Sequence, residues 1–449
     1  PPPPPPPLDN LRRQRQMCIR DRLTTEENDL LTRVEGDAPM GRLMRQHWVP
    51  ALLDEEVAEP DGKPVRVRLL GQNLVVFRDT RGRLGALDEL CPHRRASLVY
   101  GRNEDCGLRC LYHGWKFDFE GNCVDMSSEP PGSNLKDKVK QRAYPVRQCG
   151  GFVWIYLGDE EAPAFERPSF SPDDDTPVSI LKIRVPANWA QIMEGQIDSA
   201  HSSSLHSSDM VPARVDSAGA NAERWLRPST DKSPRMVTEV TPYGFRYAAI
   251  RRPIKNAAKQ DYIRITVYVA PFVALIPPNS SYNEAAVIVP EDDHNELFHF
   301  ISWGGDECPD TPSWRDFCRA VPGVDLNEDF TSRRHAGNDF GQDRSAMSEG
   351  SFTGIPGIPN QDIAMWCSMG SIEDRSQETL GASDIAIVEF RRLMVEAARD
   401  VADGEPAIGI AGQQIPRTQI ASYQGIVDKT VDWRAMGDAA ESGDTVATG

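Results

Sequence analysis

The sequence predicts an α+β protein in which an all-β domain precedes a larger domain of mixed strands and helices. Between residues 48 and 160, short β-branched runs alternate with Gly and Asp turn signals, as in "PVRVRLLGQNLVVFRDTRGRLGAL". Farther along, strand-like segments such as "DYIRITVYVAPFVALIPP" are mixed with helical ones, notably "SDIAIVEFRRLMVEAARDVADG" at 383–404. A stretch rich in proline and aspartate, "APAFERPSFSPDDDTP", separates the two regions and predicts a linker.

The chain of 449 residues is long enough for two or three ordinary domains. It opens with seven prolines and a short basic run that has no apolar core of the kind a signal peptide needs. Thr24 and Glu27 have the spacing of a capping box ahead of a first amphipathic helix. The expected segments are a disordered or non-native tail at 1–22, that helix with the β domain at 23–161, a linker at 162–177, the mixed domain at 178–432 and a flexible tail at 433–449.

Composition excludes several classes of function. A formal net charge of −17 argues against a nucleic-acid partner, which would require a basic face. Apolar runs stay well short of the roughly eighteen residues that a membrane-spanning helix requires, so no membrane partner is expected. The nine cysteines are scattered through a long acidic chain, a pattern typical of reduced thiols and of a cytoplasmic protein.

Two cysteine–histidine pairs lie at loop-like positions in the β domain. Cys91 and His93 are separated from Cys110 and His113 by sixteen residues. Zinc accepts both ligand types, but zinc fingers usually present both cysteines before both histidines. The alternating order gives each loop one thiolate and one imidazole, which favours a mixed-ligand two-iron cluster. Such a cluster has a reduction potential of about −150 to +300 mV, against about −400 mV for a plant-type all-cysteine cluster.

A second candidate metal site lies in "NWAQIMEGQIDSAHSSSLHSSDM", at 188–210. His201 and His206 would be splayed by about 140° on a regular α-helix, so joint binding of a metal predicts a helix end or a π-bulge between them. Asp198 lies three residues before His201, on the same helical face. A carboxylate would complete a facial triad for ferrous iron. Spacing alone leaves six candidates open: Asp339, Asp343, Glu349, Asp362, Glu373 and Asp374.

These motifs resemble those of a known family. The segments "CPHRRASL" and "CLYHGWKFDFEGNC" resemble the Rieske signature of aromatic-ring-hydroxylating oxygenases, and Asp198, His201 and His206 match the family's iron motif, D-x-x-H-x4-H. The segment "IPNQDIAMWCSMGSIEDRSQETLGASD" is similar to the region that supplies the third iron ligand in large subunits of the phthalate and phenoxybenzoate dioxygenase type, which maps onto Asp362. The resemblance extends from residue 23 to about residue 430.

The resemblance implies a Rieske domain followed by a helix-grip catalytic domain with a curved antiparallel sheet. It implies a Rieske [2Fe–2S] cluster and a mononuclear Fe(II), in a homotrimer or homohexamer. Electrons would come from NADH only indirectly, through a separate flavin and ferredoxin-type reductase. The sequence agrees, because it shows no dinucleotide-binding glycine motif after a strand. In the family the aspartate matching Asp198 also bridges to a cluster histidine of the neighbouring subunit, for which His113 is the candidate here.

The predicted activity is hydroxylation of an aromatic substrate by activated O2, and the resemblance suggests an aromatic carboxylate. Arg264, with Ser202 beside the first iron histidine, is the candidate anchor, because a guanidinium matches carboxylate geometry. Ordinary ion pairing is the competing role for such an arginine. Three alternative functions stay open: a Rieske monooxygenase or O-demethylase, an electron-transfer Rieske ferredoxin, and a zinc-dependent binding module.

Overall fold

The computed structural model describes residues 22–216, 219–220, 224–410 and 415–437, which form two compact units. The smaller unit comprises Val34–Arg167 with the short segment Val289–Asp293. The larger unit comprises the described residues within 1–33, 168–288 and 294–449. The main division, between residues 167 and 168, lies inside the segment expected to be a linker. Among the described residues, no helix combines the length and the apolar character needed to cross a membrane.

Both chain ends differ from the sequence-based segmentation. The first helix, α1 (Thr25–Thr32), has the predicted capping box but belongs to the larger unit and not to the β domain. The side chains of Asn188 and Trp189 donate hydrogen bonds of 2.9 and 3.1 Å to backbone carbonyls in its last turn. At the other end, Trp433 was assigned to a flexible tail, yet it is buried beneath the guanidinium of Arg246. Residues 1–21 and 438–449 of the expected tails lie outside the described residues.

The smaller unit is built from short antiparallel strands and one helix, α2 (Pro39–Arg45). The predicted run at 64–87 forms the three-stranded meander β2-β3-β4, and Phe152–Tyr156 forms a strand that is buried along its whole length. The other sheets have the orders β1-β10-β9 and β5-β6-β7-β8. The strands are β1 (Trp48–Leu53), β2 (Val65–Leu69), β3 (Gln72–Arg78), β4 (Leu84–Asp88), β5 (Arg102–Glu104), β6 (Gly107–Arg109), β7 (Trp115–Phe117), β8 (Cys123–Met126), β9 (Val146–Cys149) and β10 (Phe152–Tyr156).

The larger unit contains an eight-stranded sheet with the order β11-β20-β19-β18-β17-β16-β15, in which β21 also pairs with β17. Strand β16 is buried along its whole length, its two arginines included. A small separate sheet has the order β12-β14-β13. The strands are β11 (Val178–Val185), β12 (Met210–Pro212), β13 (Gly219–Ala220), β14 (Trp225–Arg227), β15 (Arg235–Thr241), β16 (Gly244–Arg251), β17 (Gln260–Val269), β18 (Val273–Ile276), β19 (Asn283–Pro290), β20 (Glu296–Trp303) and β21 (Tyr423–Asp428).

The long helix predicted near the C-terminus contacts β15 and β16 of this sheet, and its Phe390 meets Tyr268 and Trp189 edge to face. The α+β architecture, with a mainly β unit and a larger unit whose antiparallel sheet contacts a long helix, is therefore as predicted. The remaining helices are shorter and lie between strands or before this helix. The helices are α3 (Trp189–Gln196), α4 (Thr311–Phe317), α5 (Arg344–Ser348), α6 (Ile358–Ser368) and α7 (Ile385–Ala402).

A buried ionic cluster fixes α3 to α7. Arg375 and Arg391 both bind the Glu194 carboxylate, with Nε–Oε1 distances of 2.9 and 2.8 Å. Burial acts to raise the pKa of Glu194, but the two guanidinium groups outweigh burial and lower it to about 2. Glu194 also lies near the carboxylates of Glu373 and Glu378, but Arg391 binds Glu378 as well, so the group is an ion-pair network and not a metal site. The network orients α3, whose C-terminus leads into the histidine motif.

Candidate metal centres and substrate cavity

Two loops of the smaller unit carry the predicted cysteine–histidine pairs, and they share one backbone design. The N–H of Arg95 donates to the carbonyl of Cys91 (2.9 Å), and the N–H of Gly114 donates to the carbonyl of Cys110 (3.0 Å). Each closing residue has a positive φ, 61° at Arg95 and 74° at Gly114. A side chain at Gly114 would collide with Ser127 Oγ, so only glycine closes the second loop without strain.

The four predicted cluster ligands converge between these loops. The rings of His93 and His113 have centroids 4.4 Å apart, and Trp115 stacks on His93 at 4.3 Å. Cys91 and Cys110 are buried beneath them. Burial, together with the neighbouring Cys110 thiol, raises the pKa of Cys91 to about 11, so this thiol ionises at neutral pH only if it binds a cation. Two buried thiols and two outward imidazoles fit the ligand set of a Rieske cluster.

In the larger unit, the two motif histidines meet just beyond the end of a helix. Helix α3 is capped by Asn188 and ends at Gln196, and His201 begins a separate 3₁₀ turn. Because the helix ends before the motif, the two histidines do not point apart as they would on a continuous helix. The Nε2 atoms of His201 and His206 lie 3.1 Å apart. Of the two alternatives that the spacing left open, a helix end and a π-bulge, the structure has the helix end.

Asp362 completes a group of three converging ligand atoms. It lies in α6, and its Oδ1 is 3.2 Å from His206 Nε2 and 3.5 Å from His201 Nε2. Ligand atoms bound at right angles to one first-row metal ion are about 3 Å apart, so this arrangement fits a two-histidine, one-carboxylate iron site. The other five candidate carboxylates do not join these histidines within the described residues; they are Asp339, Asp343, Glu349, Glu373 and Asp374.

Gln361, the residue before Asp362, determines the orientation of His206. Its Nε2 donates to Asp209 Oδ2 and to the carbonyl of Ile355, both at 2.9 Å. These two acceptors identify the amide nitrogen, so Gln361 Oε1 faces His206 Nδ1 at 2.8 Å as an acceptor. His206 therefore carries its proton on Nδ1, which leaves the Nε2 lone pair free for a metal. Sequence reasoning missed this role, because an amide beside a predicted ligand gives no signal of its own.

Asp198 has the same relationship to His201. Its Oδ2 lies 3.4 Å from His201 Nδ1, and its Oδ1 accepts a hydrogen bond of 2.7 Å from the N–H of Ala200. Burial acts to raise the pKa of Asp198, but the hydrogen bonds from His201 and Ala200 outweigh burial and lower it. An ionised acceptor at this position holds the Nδ1–H tautomer of His201, so both imidazoles present Nε2 to the same point.

A cavity opens onto the three converging atoms. Its walls combine apolar and aromatic side chains, including Phe298 and Phe300, with a few polar groups. Both predicted substrate contacts, Ser202 and Arg264, line it and are almost fully buried. A largely apolar cavity with few polar groups suits a flat aromatic molecule that carries one polar substituent.

Three buried arginines lie behind this cavity, and none of them forms an ion pair with a carboxylate among the described residues. Arg227 donates to Ser202 Oγ (2.9 Å), Arg251 donates to the carbonyl of Ser199, and Arg264 donates to the carbonyl of Pro277 (2.8 Å). Burial and mutual repulsion lower the pKa of Arg227 to about 9. The three guanidinium groups therefore give this side of the cavity a positive charge that favours an anionic ligand. The sequence did not indicate a functional role for Arg227, because it is a single arginine in a short strand.

A loop pair with two thiols and two imidazoles, and a separate two-histidine, one-carboxylate group beside an aromatic-lined cavity, define the class of Rieske non-haem iron oxygenases. Residues 47–145 match the family described as Rieske [2Fe-2S] domain, and residues 155–448 match the family described as LigXa C-terminal domain like. The chain is 60% identical over 414 residues to a phthalate 4,5-dioxygenase oxygenase subunit from Pseudomonas putida, with 92% of this chain and 94% of the relative covered.

A 3-chlorobenzoate-3,4-dioxygenase oxygenase subunit from Comamonas testosteroni is 36% identical, with 91% of this chain and 96% of the relative covered. The chain therefore belongs to the Rieske aromatic-ring-hydroxylating oxygenases, as a large subunit of the phthalate 4,5-dioxygenase type. It is an oxidoreductase whose cofactors are a Rieske [2Fe–2S] cluster and a mononuclear non-haem iron, and a separate reductase supplies its electrons.

Solved structures show the same fold at low sequence identity. Dicamba monooxygenase bound to 3,6-dichlorosalicylic acid has a TM-score of 0.56 and 18% identity, with 80% of this chain and 98% of that chain covered. The terminal oxygenase of carbazole 1,9a-dioxygenase from Novosphingobium sp. KA1 has a TM-score of 0.54 and 21% identity, with 87% and 98% covered. Because a catalytic domain follows the Rieske domain, the ferredoxin and zinc-module alternatives are excluded.

Proposed function

We propose that this subunit binds an aromatic carboxylate, of the phthalate or phenoxybenzoate kind, and adds both atoms of O2 to its ring. The observation that carries the proposal is the Arg264 guanidinium, buried in the cavity wall and bound to no carboxylate among the described residues. A buried cation without a counter-ion is costly, and an anionic substrate removes that cost. The names of two relatives, a phthalate dioxygenase and a chlorobenzoate dioxygenase, support the same substrate class.

In this proposal the cluster is held by four ligands, which are Cys91, His93, Cys110 and His113. When bound, the two metal groups supply one-electron storage and an iron with open positions for O2. His201, His206 and Asp362 are the proposed iron ligands.

The remaining roles belong to side chains around that site. Asp198 and Gln361 keep the Nδ1 protons of the two histidines in place. Arg264 holds the substrate carboxylate, and Ser202, itself held by Arg227, offers a hydroxyl beside it. The aromatic walls, Phe298 among them, position the ring and exclude water.

The proposed assembly is a homotrimer or homohexamer in which the cluster of one subunit serves the iron of the next. Asp198 is partly exposed on the cavity side of His201, where it could accept a hydrogen bond from His113 of a second copy. An oxygenase component also requires an electron donor, which we propose to be a reductase with flavin and ferredoxin-type centres that takes electrons from NADH. A cytoplasmic location follows from the acidic composition and the scattered cysteines.

A Rieske monooxygenase or O-demethylase is the second candidate. It is favoured by a 32% identical relative, the 5,5'-dehydrodivanillate O-demethylase oxygenase subunit of Sphingobium sp., with 85% of this chain covered. The same metals and the same carboxylate anchor serve both reactions, so the cavity does not separate them. The two reactions differ in products, because dioxygenation gives a cis-dihydrodiol whereas O-demethylation gives a phenol and formaldehyde.

The test is a substrate screen with the purified holoenzyme, a matching reductase, NADH and ¹⁸O2. The panel contains phthalate, benzoate, 3-phenoxybenzoate and vanillate, with benzamide as the uncharged control. A cis-diol that carries two ¹⁸O atoms, formed from a carboxylate and not from benzamide, is the expected product. Turnover of benzamide at the same kcat/KM would remove the carboxylate from the proposal, and formaldehyde from vanillate alone would favour demethylation.

A further inference from the structure

The cavity wall also contains a buried carboxyl group, Glu284, to which no role has been assigned above. It lies in β19 opposite Ile276 of β18, is 1% exposed, and lines the same cavity as Arg264. A carboxyl in this position would ordinarily be expected to neutralise the nearby guanidinium. The structure instead keeps the two groups out of direct contact.

The contacts of both groups show this separation. The guanidinium of Arg264 donates to Asn279 Oδ1, to the carbonyl of Pro277 and to Tyr262 Oη, all of them uncharged acceptors. Glu284 accepts a long hydrogen bond, 3.5 Å, from Ser280 Oγ to its Oε1 and a hydrogen bond from the backbone N–H of Asn279. Arg264 and Glu284 are therefore close enough for their charges to interact, but no hydrogen bond joins them.

The titratable groups that face Glu284 come from three parts of the unit. They are Arg264 of β17, Tyr282 just before β19 and Cys318 after α4. Burial dominates over the attraction of Arg264 and raises the pKa of Glu284 to about 8. At neutral pH the group is therefore a carboxylic acid, which can donate a hydrogen bond as well as accept one.

We propose that Glu284 is a specificity-determining residue which, as a neutral acid, leaves the charge of Arg264 available and donates a hydrogen bond to the carboxylate of the aromatic substrate. The inference rests on the proposed function, since it assumes an anionic substrate. The proposal also predicts how the affinity for the substrate depends on pH. When Glu284 ionises, its charge compensates Arg264 and repels the substrate, so affinity for the carboxylate falls as the pH rises past about 8.

The experiment measures equilibrium binding of phthalate by isothermal titration calorimetry, using the full chain both metal-free and metal-loaded, at pH 7.0, 8.0 and 9.5. Wild type and Glu284→Gln are compared, because an amide is a permanently neutral substitute for the acid.

If only the protonated form binds, affinity falls tenfold for each pH unit above the pKa of Glu284, so wild type should weaken by ~30-fold at pH 9.5. Glu284→Gln should weaken less than about fivefold, because deprotonation of Arg227, with its pKa of about 9, accounts for a loss of only about fourfold at pH 9.5. Benzamide is the uncharged control probe and should bind independently of pH.

A second measurement needs no variant. Binding of phthalate to wild type near pH 8.5 should take up a proton, seen as a dependence of the apparent enthalpy on the ionisation enthalpy of the buffer. Benzamide should take up none. Absence of proton uptake, or of any pH dependence, would overturn the role of Glu284.

The other outcomes separate the two proposals. An equal loss of affinity in wild type and Glu284→Gln would assign the pH dependence to the arginines, of which Arg227 has a pKa lowered to about 9. That result overturns the inference about Glu284 and leaves the proposed function intact. If neither phthalate nor benzoate binds wild type at pH 7.0 while benzamide does, the proposed substrate class is wrong, and the inference is overturned with it.

Discussion

Replacing Gln361 tests the most specific feature of the proposed iron site, the fixed tautomer of His206. In Gln361→Met the side chain keeps its length but offers no acceptor to His206 Nδ1, and the acceptors of Asp209 and Ile355 lose their donor. Loss of a hydrogen-bonded partner behind a metal-bound histidine typically weakens metal affinity 10–100-fold, which is about 1.4–2.8 kcal/mol of binding free energy. The free energy of unfolding should fall by about 1–3 kcal/mol, because buried polar groups lose their partners.

The assay is an anaerobic competition titration of Fe(II) between the protein and a chromogenic chelator, with the visible spectrum of the cluster as an internal control. Gln361→Glu is the comparison variant: it keeps an acceptor for His206, and its second carboxyl oxygen must hold a proton to replace the amide donor to Asp209 and Ile355. It should bind iron within about threefold of wild type. Equal iron affinity in wild type and Gln361→Met would refute the reasoning, and an equal loss in both variants would assign the effect to the changed contact with Asp209 and Ile355.

Three further substitutions test the other proposed roles. Cys110→Ser should abolish the visible absorption and the electron paramagnetic resonance signal of the reduced cluster, because iron requires the thiolate, and an intact spectrum in the pure variant contradicts the assignment. His206→Ala or Asp362→Ala should remove the mononuclear iron and all turnover while the cluster spectrum stays unchanged; full iron occupancy in Asp362→Ala points to another carboxylate. Asp198→Asn should retain the fold and both metals but slow turnover roughly hundredfold or more, and single-turnover rates close to wild type remove Asp198 from the mechanism.

The ligands of the two cysteine–histidine pairs and of the histidine motif could be predicted from the sequence, because within each motif they are close together along the chain. Cys91 and His93 share one tight loop, and His201 and His206 are five residues apart. Local backbone geometry brings such ligands together: a five-residue turn with a left-handed closing residue in the first case, and a helix end in the second. The α+β class and the long helix were predictable for a similar reason, since hydrophobic periodicity is a local property.

The proposed third iron ligand was a different problem, because 155 residues lie between His206 and Asp362 and spacing could not choose among six carboxylates. Only the resemblance to a family pointed to Asp362, and only the packing of α6 beside the end of α3 brings its carboxylate to within 3.5 Å of both histidines. The same long-range packing explains why α1 belongs with the catalytic unit: its partners Asn188 and Trp189 lie more than 150 residues away in sequence.

The sequence by itself determined which elements this protein contains and which kinds of metal ligand it presents, because both depend on residues that are near neighbours in the chain. The tertiary structure alone decided the electrostatics of the cavity. Arg227, Arg264 and Glu284 lie on different strands, and whether they form an ion pair, repel one another or hold a proton depends on distances and burial that only the folded sheet sets. A buried charge interacts strongly with its neighbours because little water screens it, so the properties of this site emerge only when the strands come together.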